Sequence, residues 1–143
     1  MTSSERPPAL RTITTHRRLE WRDTDASGHQ HHSVIIRWVE QAEAELFESL
    51  GSIELFDRIP RVKYEAEYHS RLWFRDEVEI QLNVAAIGRT SMTYEFEITG
   101  PHGIAATGRV VIVHTAPEAG RATPWPEKFK SALVTAESAS NNG

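Results

Sequence analysis

The sequence predicts an α+β domain in which one long central helix is wrapped by a curved, antiparallel, five-stranded sheet. Two observations support this: a single helical stripe of apolar residues, and alternation of apolar residues at every second position in five other segments. The 143 residues are 39% hydrophobic and 25% charged, which is the composition of one globular domain. We place this domain at residues 12–133, with flexible tails at residues 1–11 and 134–143, where small and polar residues prevail.

Along the chain, one predicted strand precedes the helix and four follow it. The first one has Ile13, Thr15, Arg17, Leu19 and Trp21 at alternate positions. Four more follow, marked by Val62/Tyr64/Ala66/Tyr68, Val78/Ile80/Leu82/Val84, Met92/Tyr94/Phe96/Ile98, and Ile104/Ala106 running into Val110. Turn residues separate the last three strands, which are therefore predicted to form an antiparallel meander. Residues 110–113 are apolar at successive positions, so we expect both faces of the last strand to be covered, most simply by homodimerisation.

The helix is predicted by apolar residues that recur with a period of 3.6. Its stripe consists of Ile35, Val39, Ala42, Leu46 and Leu50. Gly51 follows as the residue that ends the helix. The opposite, solvent-facing side is expected to carry Arg37, Glu40, Glu43, Glu45 and Glu48.

Composition excludes several classes of function. With 16 basic and 20 acidic side chains the net charge is −4, which argues against nucleic acid as a partner. Cysteine is absent, so disulfides, thiolate metal sites and a cysteine nucleophile are excluded. No apolar stretch approaches the roughly 20 residues that cross a bilayer, and Pro7 and Pro8 interrupt the place of a signal-peptide core. We therefore expect a cytoplasmic protein without a membrane partner.

The chemistry is concentrated in residues 21–32, WRDTDASGHQHH, between the first strand and the helix. Two carboxylates and three histidines occur within ten residues of this loop. Free backbone N–H groups at a helix N-terminus can polarise a carbonyl group or hold an oxyanion. In such a site the Asp25 carboxylate can act on water or directly on an acyl carbon. His32, at the helix start, can orient the carbonyl through its backbone N–H or its ring.

This loop and the helix after it resemble the 4-hydroxybenzoyl-CoA thioesterase-like branch of the hotdog fold. Members show patterns such as D-x-D-x-x-G-h-h-[YW]-H or D-x-D-x-x-G-H-V-N-N, followed by a helix with an aromatic residue and an acid. The residues that match are Asp23, Asp25, Gly28, His29, His32, Trp38 and Glu40. The resemblance covers about residues 18–115.

The resemblance implies hydrolysis of an acyl thioester of coenzyme A or of acyl carrier protein. Asp25 then stands in the position of the catalytic aspartate, as general base or nucleophile, and His32 lies near the thioester carbonyl. Substrate-binding positions are expected at His31, Gly28, and the turn formed by Arg89, Thr90 and Ser91. Asp23, His29 and Glu40 are expected to support the loop. Coenzyme A is part of the substrate, so no cofactor is expected.

Departures from the family pattern concern the acyl group. Trp21 stands where one branch has a tyrosine near the catalytic acid, and Gln30, His31, Val34 and Ile35 replace residues that would lie near the acyl chain. The acyl group therefore stays open, as does the choice between a homodimer and a homotetramer with sites between subunits.

The same residues also permit structural roles and other functions. Asp25 can simply form an Asx turn, and Arg89 can be an exposed turn residue. Zinc or iron binding by the histidines with Asp25 is not predicted, because a short loop rarely directs four ligands inward. The alternative functions are a non-catalytic acyl-CoA-binding hotdog module and an acyl-thioester dehydratase or hydratase.

Overall fold

Five antiparallel strands form a single sheet in the computed structural model, which describes residues 10–117 and 120–134. The strands are β1 (Thr12–Arg18), β2 (Arg61–Tyr68), β3 (Glu77–Ile87), β4 (Ser91–Gly100) and β5 (Gly103–Val113). Their order across the sheet is β1-β3-β4-β5-β2. The predicted meander of the last three strands is confirmed, and β1 and β2 form the two edges.

The helix α1 (His32–Ser49) packs its apolar stripe against the inner face of this sheet. All five predicted stripe residues are buried, together with Val34, Trp38 and Phe47. The helix ends as predicted, since Leu50 is its C-cap and Gly51 has the positive φ of 72° that favours glycine. A second, short helix, α2 (Glu127–Leu133), adds Phe129 and Leu133 to the same core.

Two predictions about side-chain orientation are wrong. Trp21 does not continue β1: the strand ends at Arg18, and Trp21 opens a 3₁₀ helix, Trp21–Asp23, with 70% of its surface exposed. Glu43 does not face solvent, since only 1% of its surface is exposed. It lies four residues after Val39 and three before Leu46, which is the spacing of the apolar stripe itself.

The last strand is covered on one face only within the chain. Val110 and Ile112 point into the core, whereas Val111 and Val113 are half-exposed on the outer face. Their neighbours there are polar, because Val111 pairs with Lys63 on one side and with Thr93 on the other. The expectation that both faces are buried therefore does not hold for the single chain.

The predicted tails lie mostly outside the described residues, namely at residues 1–9 and 135–143. Arg11, which was assigned to the first tail, already belongs to the fold. Its carbonyl oxygen accepts a hydrogen bond of 2.9 Å from the backbone N–H of Val84. No helix among the described residues is long and apolar enough to cross a membrane.

Candidate active site

The loop between β1 and α1 is tied to the helix by Asp23. One carboxylate oxygen of Asp23 accepts a hydrogen bond of 2.9 Å from the backbone N–H of Glu20, which closes the 3₁₀ turn. The other accepts a hydrogen bond of 3.1 Å from Arg37, one turn into α1. The Asp23 carboxylate is buried, whereas the Arg37 side chain that reaches it is half-exposed. The loop therefore has a fixed position relative to the start of the helix.

Asp25 forms an Asx turn and still keeps one oxygen free of backbone contacts. Its Oδ1 accepts a hydrogen bond of 2.8 Å from the N–H of Ser27, and its carbonyl accepts one of 3.0 Å from Gly28. Gly28 has φ of 89°, and this turn requires glycine for that reason. The Asp25 side chain is one third exposed, so Oδ2 is open to a water molecule or a substrate.

His29 lies opposite that free oxygen. Its Nδ1 is 3.9 Å from Asp25 Oδ2 and has no hydrogen-bond partner among the described residues. The ring packs edge-on against Trp73 with centroids 5.4 Å apart, and the two residues also form a β-bridge. Gln30 adds two hydrogen bonds to Leu72, at 2.9 Å and 2.8 Å. Contacts with residues 72–73 thus hold the loop in place.

The two histidines at the helix start have different surroundings. His31 is the N-cap of α1: its Nδ1 accepts a hydrogen bond of 3.2 Å from the N–H of Ser33. Its own backbone N–H is taken by the carbonyl oxygen of Asp23 at 2.8 Å. His32 has an exposed ring that lies 4.2 Å from the ring of His31 in a tilted arrangement, and its backbone N–H is without a partner in residues 10–117 and 120–134. The free donor expected at the helix start is therefore that of His32 and not that of His31.

The turn with Arg89, Thr90 and Ser91 lies far from this loop within one chain. The loop starts where β1 meets the beginning of β3, whereas the turn follows the end of β3, 11 residues later. At the rise of an extended strand, the contour length of β3 is about 33 Å, and the loop and the turn lie at its two ends. The carbonyl groups of the turn also hold the C-terminal segment, accepting hydrogen bonds from His114 and Trp125 at 2.8–3.0 Å. One chain alone does not bring this turn and Asp25 together.

Glu40 contacts β2 and not the loop that it was expected to support. Its carboxylate lies 3.7 Å from Arg61, and Arg37 makes the contact between helix and loop instead. Sequence reasoning placed Arg37 on the solvent side without a partner. The signal that could have indicated this contact is the position of Arg37 six residues after the N-cap, within the first two turns, from which a long side chain reaches back over the loop.

The described residues contain no group of three or more histidine, aspartate or glutamate side chains placed to hold a metal ion. Aromatic residues border the loop instead: Trp21, Trp73 and Phe74 are 70%, 43% and 43% exposed. Trp21 and Phe74 meet edge-on at 5.5 Å. The site is therefore an open surface bordered by aromatic side chains, with one accessible carboxylate and one free helix N–H.

A five-stranded sheet around one helix, with a carboxylate loop at the helix start, defines a hotdog domain of the thioester-hydrolase class. The chain belongs to the thioesterase-like superfamily, whose family model matches residues 19–133. The hotdog fold and the thioesterase resemblance predicted from the sequence are thus confirmed.

Individual relatives agree with this membership. The structure of a predicted thioesterase from Bacillus stearothermophilus is 27% identical, with a TM-score of 0.79 over 86% of this chain and 94% of that one. A thioesterase from Thermus thermophilus, solved with coenzyme A and zinc, is 25% identical, with a TM-score of 0.76 over 86% and 93% of the two chains. A provisionally named esterase of Aquifex aeolicus is 28% identical over 85 residues, which are 56% of this chain and 66% of that protein.

Proposed function

We propose that this protein hydrolyses an acyl thioester of coenzyme A, with Asp25 as the catalytic carboxylate. The single observation that carries the proposal is the geometry of Asp25, whose Oδ1 is fixed by the N–H of Ser27 while Oδ2 stays open. The Thermus relative with bound coenzyme A supports this thiol over a carrier protein.

In the general-base form, Asp25 Oδ2 accepts a proton from a water molecule, which attacks the thioester carbonyl. The carbonyl oxygen becomes an oxyanion and accepts a hydrogen bond from the backbone N–H of His32, assisted by the positive end of the α1 dipole. The tetrahedral intermediate collapses, the carbon–sulfur bond breaks, and the thiolate takes the proton. The products are a carboxylic acid and the free thiol.

In the nucleophilic form, Asp25 Oδ2 attacks the carbonyl itself and expels the thiolate, leaving an anhydride that water then hydrolyses. Both forms use the same oxygen and the same helix N–H. Label from ¹⁸O water in the Asp25 carboxylate after a single turnover would establish the nucleophilic form, because it enters only when water attacks the Asp25 carbonyl of the anhydride.

We also propose that the working site lies between two copies of the chain. The edge strand β2 leaves Val62 and Tyr68 61% and 49% exposed, which favours pairing with a second copy. The turn that contains Arg89 lies at the opposite end of β3 from the loop with Asp25, so it would have to come from the partner to meet the phosphates of coenzyme A. Light scattering after gel filtration tests the dimer, and hydrolysis by a mixture of Asp25→Asn and Arg89→Ala proteins tests site sharing.

The function is tested by thiol release from a panel of short, long, branched and aromatic acyl-CoAs. We expect the wild type to hydrolyse at least one of them and Asp25→Asn to lose that activity. Asp57→Asn is the matched control, because Asp57 is exposed on the 3₁₀ helix Ile53–Arg58, away from the loop. Binding without turnover of any thioester by the wild type would instead indicate a non-catalytic module.

A further inference from the structure

The imidazole of His29 places a buried nitrogen beside the free carboxylate oxygen of Asp25. Its Nδ1 has no hydrogen-bond partner in the described part of the chain and lies 3.9 Å from Asp25 Oδ2. Native proteins leave few buried polar atoms unpaired, because such an atom has lost its bonds to water without a replacement. A shift of about 1 Å would bring this contact into hydrogen-bond range.

The backbone fixes these two residues relative to each other. The N–H of Asp25 donates a hydrogen bond of 2.8 Å to the carbonyl oxygen of His29, so the chain folds back on itself between them. The N–H of Ser27 binds Asp25 Oδ1 at 2.8 Å, inside the same turn. The turn that holds one carboxylate oxygen therefore also directs the other one, Oδ2, to the side of the imidazole.

Trp73 limits the freedom of the His29 ring. The backbones of the two residues form a β-bridge, and their rings meet edge-on with centroids 5.4 Å apart. Two hydrogen bonds between Gln30 and Leu72, at 2.9 Å and 2.8 Å, secure this bridge at the next position. The imidazole is therefore held against a side chain from the segment before β3, with Nδ1 facing the carboxylate.

Electrostatics decides which partner donates. An imidazole nitrogen is either an N–H donor or a lone-pair acceptor. A lone pair on Nδ1 would face the negative charge of Asp25, whereas an N–H is attracted by it, so we expect Nδ1 to carry the proton of the neutral ring. The side chains of His29 and Asp25 are only 21% and 33% exposed, so water screens this attraction incompletely.

The other two histidines of the loop are engaged at the helix start. The Nδ1 of His31 caps α1 by accepting from the N–H of Ser33. The ring of His32 lies 4.2 Å from that of His31. The contact with the Asp25 carboxylate is made by His29.

We propose that His29 is a positioning residue for the reacting carboxylate: its Nδ1–H donates a hydrogen bond to Asp25 Oδ2, while Trp73 holds the imidazole in place. This rests on the proposed function, in which Oδ2 is the reacting oxygen. With Oδ1 bound by Ser27 and Oδ2 by His29, the carboxylate is confined to one orientation. A carboxylate oxygen accepts more than one hydrogen bond, so Oδ2 can still take a proton from water or attack a carbonyl carbon. A misplacement of about 1 Å can lower a rate about 100-fold, which is what this bond prevents.

Three substitutions at position 29 separate the hydrogen bond from the packing of the ring. His29→Asn puts an amide nitrogen close to the place of Nδ1, His29→Gln puts it close to that of Nε2, and His29→Phe keeps a ring against Trp73 without a donor. We expect His29→Asn to retain kcat for thiol release within about threefold, and the other two to lose about 10- to 100-fold with little change in KM. An active His29→Phe beside an inactive His29→Asn would overturn the proposal, because packing alone would then matter.

The matched control is a second pair of a histidine and a carboxylate. His16 lies 3.4 Å from Glu79 on the outside of the sheet, and its side chain is 73% exposed. His16→Phe should therefore leave kcat unchanged. Melting curves of all variants identify any loss that comes from unfolding. The double variant Asp25→Asn/His29→Phe should be no slower than Asp25→Asn, because His29 acts through Asp25; losses that multiply would overturn the proposal.

A measurement without turnover separates this proposal from the proposed function. The ¹⁵N NMR signals of the imidazole show which ring nitrogen carries the proton, at about pH 8, where a histidine ring is ordinarily neutral. We expect the Nδ1–H form of His29 in the wild type and its loss in Asp25→Ala. The Nε2–H form in the wild type would overturn the proposal even in an active hydrolase. The Nδ1–H form in a protein that hydrolyses no thioester would support the hydrogen bond and remove the proposed function.

Discussion

Asp25 and Glu43 are two of the carboxylates that face a basic side chain, and their environments are opposite. Asp25 lies in a surface loop, 3.9 Å from His29, and its position is fixed by backbone N–H groups. Glu43 lies inside the domain and is paired with the guanidinium of Arg61. A carboxylate held by local backbone donors can stay accessible to water, whereas a buried one requires a charged partner. Asp25 is therefore accessible for reaction, whereas Glu43 and Arg61 join α1 to β2 inside the domain.

The largest expected effect concerns the surface carboxylate. Asp25→Asn should lower kcat/KM about 10³-fold, because it removes the basic oxygen but retains an acceptor for the N–H of Ser27. Thermal unfolding should stay close to that of the wild type. Initial rates of thiol release and a melting curve on the same sample check both statements; equal loss of activity and of melting temperature would make Asp25 a folding residue.

The second effect concerns the buried pair. Arg61→Met should lower the free energy of unfolding by about 3 kcal/mol, because it leaves the carboxyl group of Glu43 buried without its cation. The double variant Glu43→Leu/Arg61→Met should recover most of this loss. Urea denaturation of the two variants and the wild type measures the difference. If the single variant is as stable as the wild type, buried Glu43 does not require a charged partner, and the contrast drawn between Glu43 and Asp25 is wrong.

A smaller effect is expected for the tether between loop and helix. Asp23→Ala removes acceptors for the Glu20 N–H and for Arg37, and should cost about 1–2 kcal/mol. Since the loop carries Asp25, kcat should fall while the KM for acyl-CoA changes less. Steady-state kinetics together with urea denaturation test this. A higher KM with unchanged kcat would place Asp23 in substrate binding.

The smallest effect is a dependence of stability on pH. Burial raises the pKa of Glu43 in the folded state above its value of 4.5 in the unfolded chain, so the folded protein binds more protons at and just above pH 4.5. Relative to Glu43→Gln, the wild type should be most stable below pH 4.5 and should lose this advantage as the pH rises through the folded-state pKa. Urea unfolding at a series of pH values measures the difference. A relative stability that increases with pH would contradict burial as the dominant cause.

Much of the fold was predictable, because local patterns are sufficient for it. Period-two alternation predicted the five strands, and the stripe from Ile35 to Leu50 predicted the helix with its end at Gly51. Trp21 was assigned wrongly because alternation continues past the point where the backbone of Leu19 bonds to Asp76 and turns away. No sequence pattern gave the short helix α2 a place in the fold, and the packing of Phe129 against Phe47 shows that it belongs to the core.

The segment that forms the candidate site was predictable from the sequence, but the hydrogen bonds and spatial positions of its residues were not. The motif drew attention to Asp25 and His32, yet only the structure shows that the N–H of His31 is used by Asp23. It also places the turn with Arg89 at the opposite end of β3. Hydrogen-bond partners distant in sequence leave no periodic signal, so no pattern within one chain could have revealed them.

The sequence by itself determined the hotdog architecture, the position of the candidate loop and the family, because periodicity, turn residues and a short motif act over neighbouring positions. Only the tertiary structure decided that Glu43 is buried beside Arg61 and Tyr94, residues 18 and 51 positions further along the chain. From sequence alone, a glutamate on a helix is assigned to the solvent-facing side, because its partners are not known. Whether such a charge is buried depends on which side chains of the strands contact it. Those contacts form only when the sheet packs around the helix.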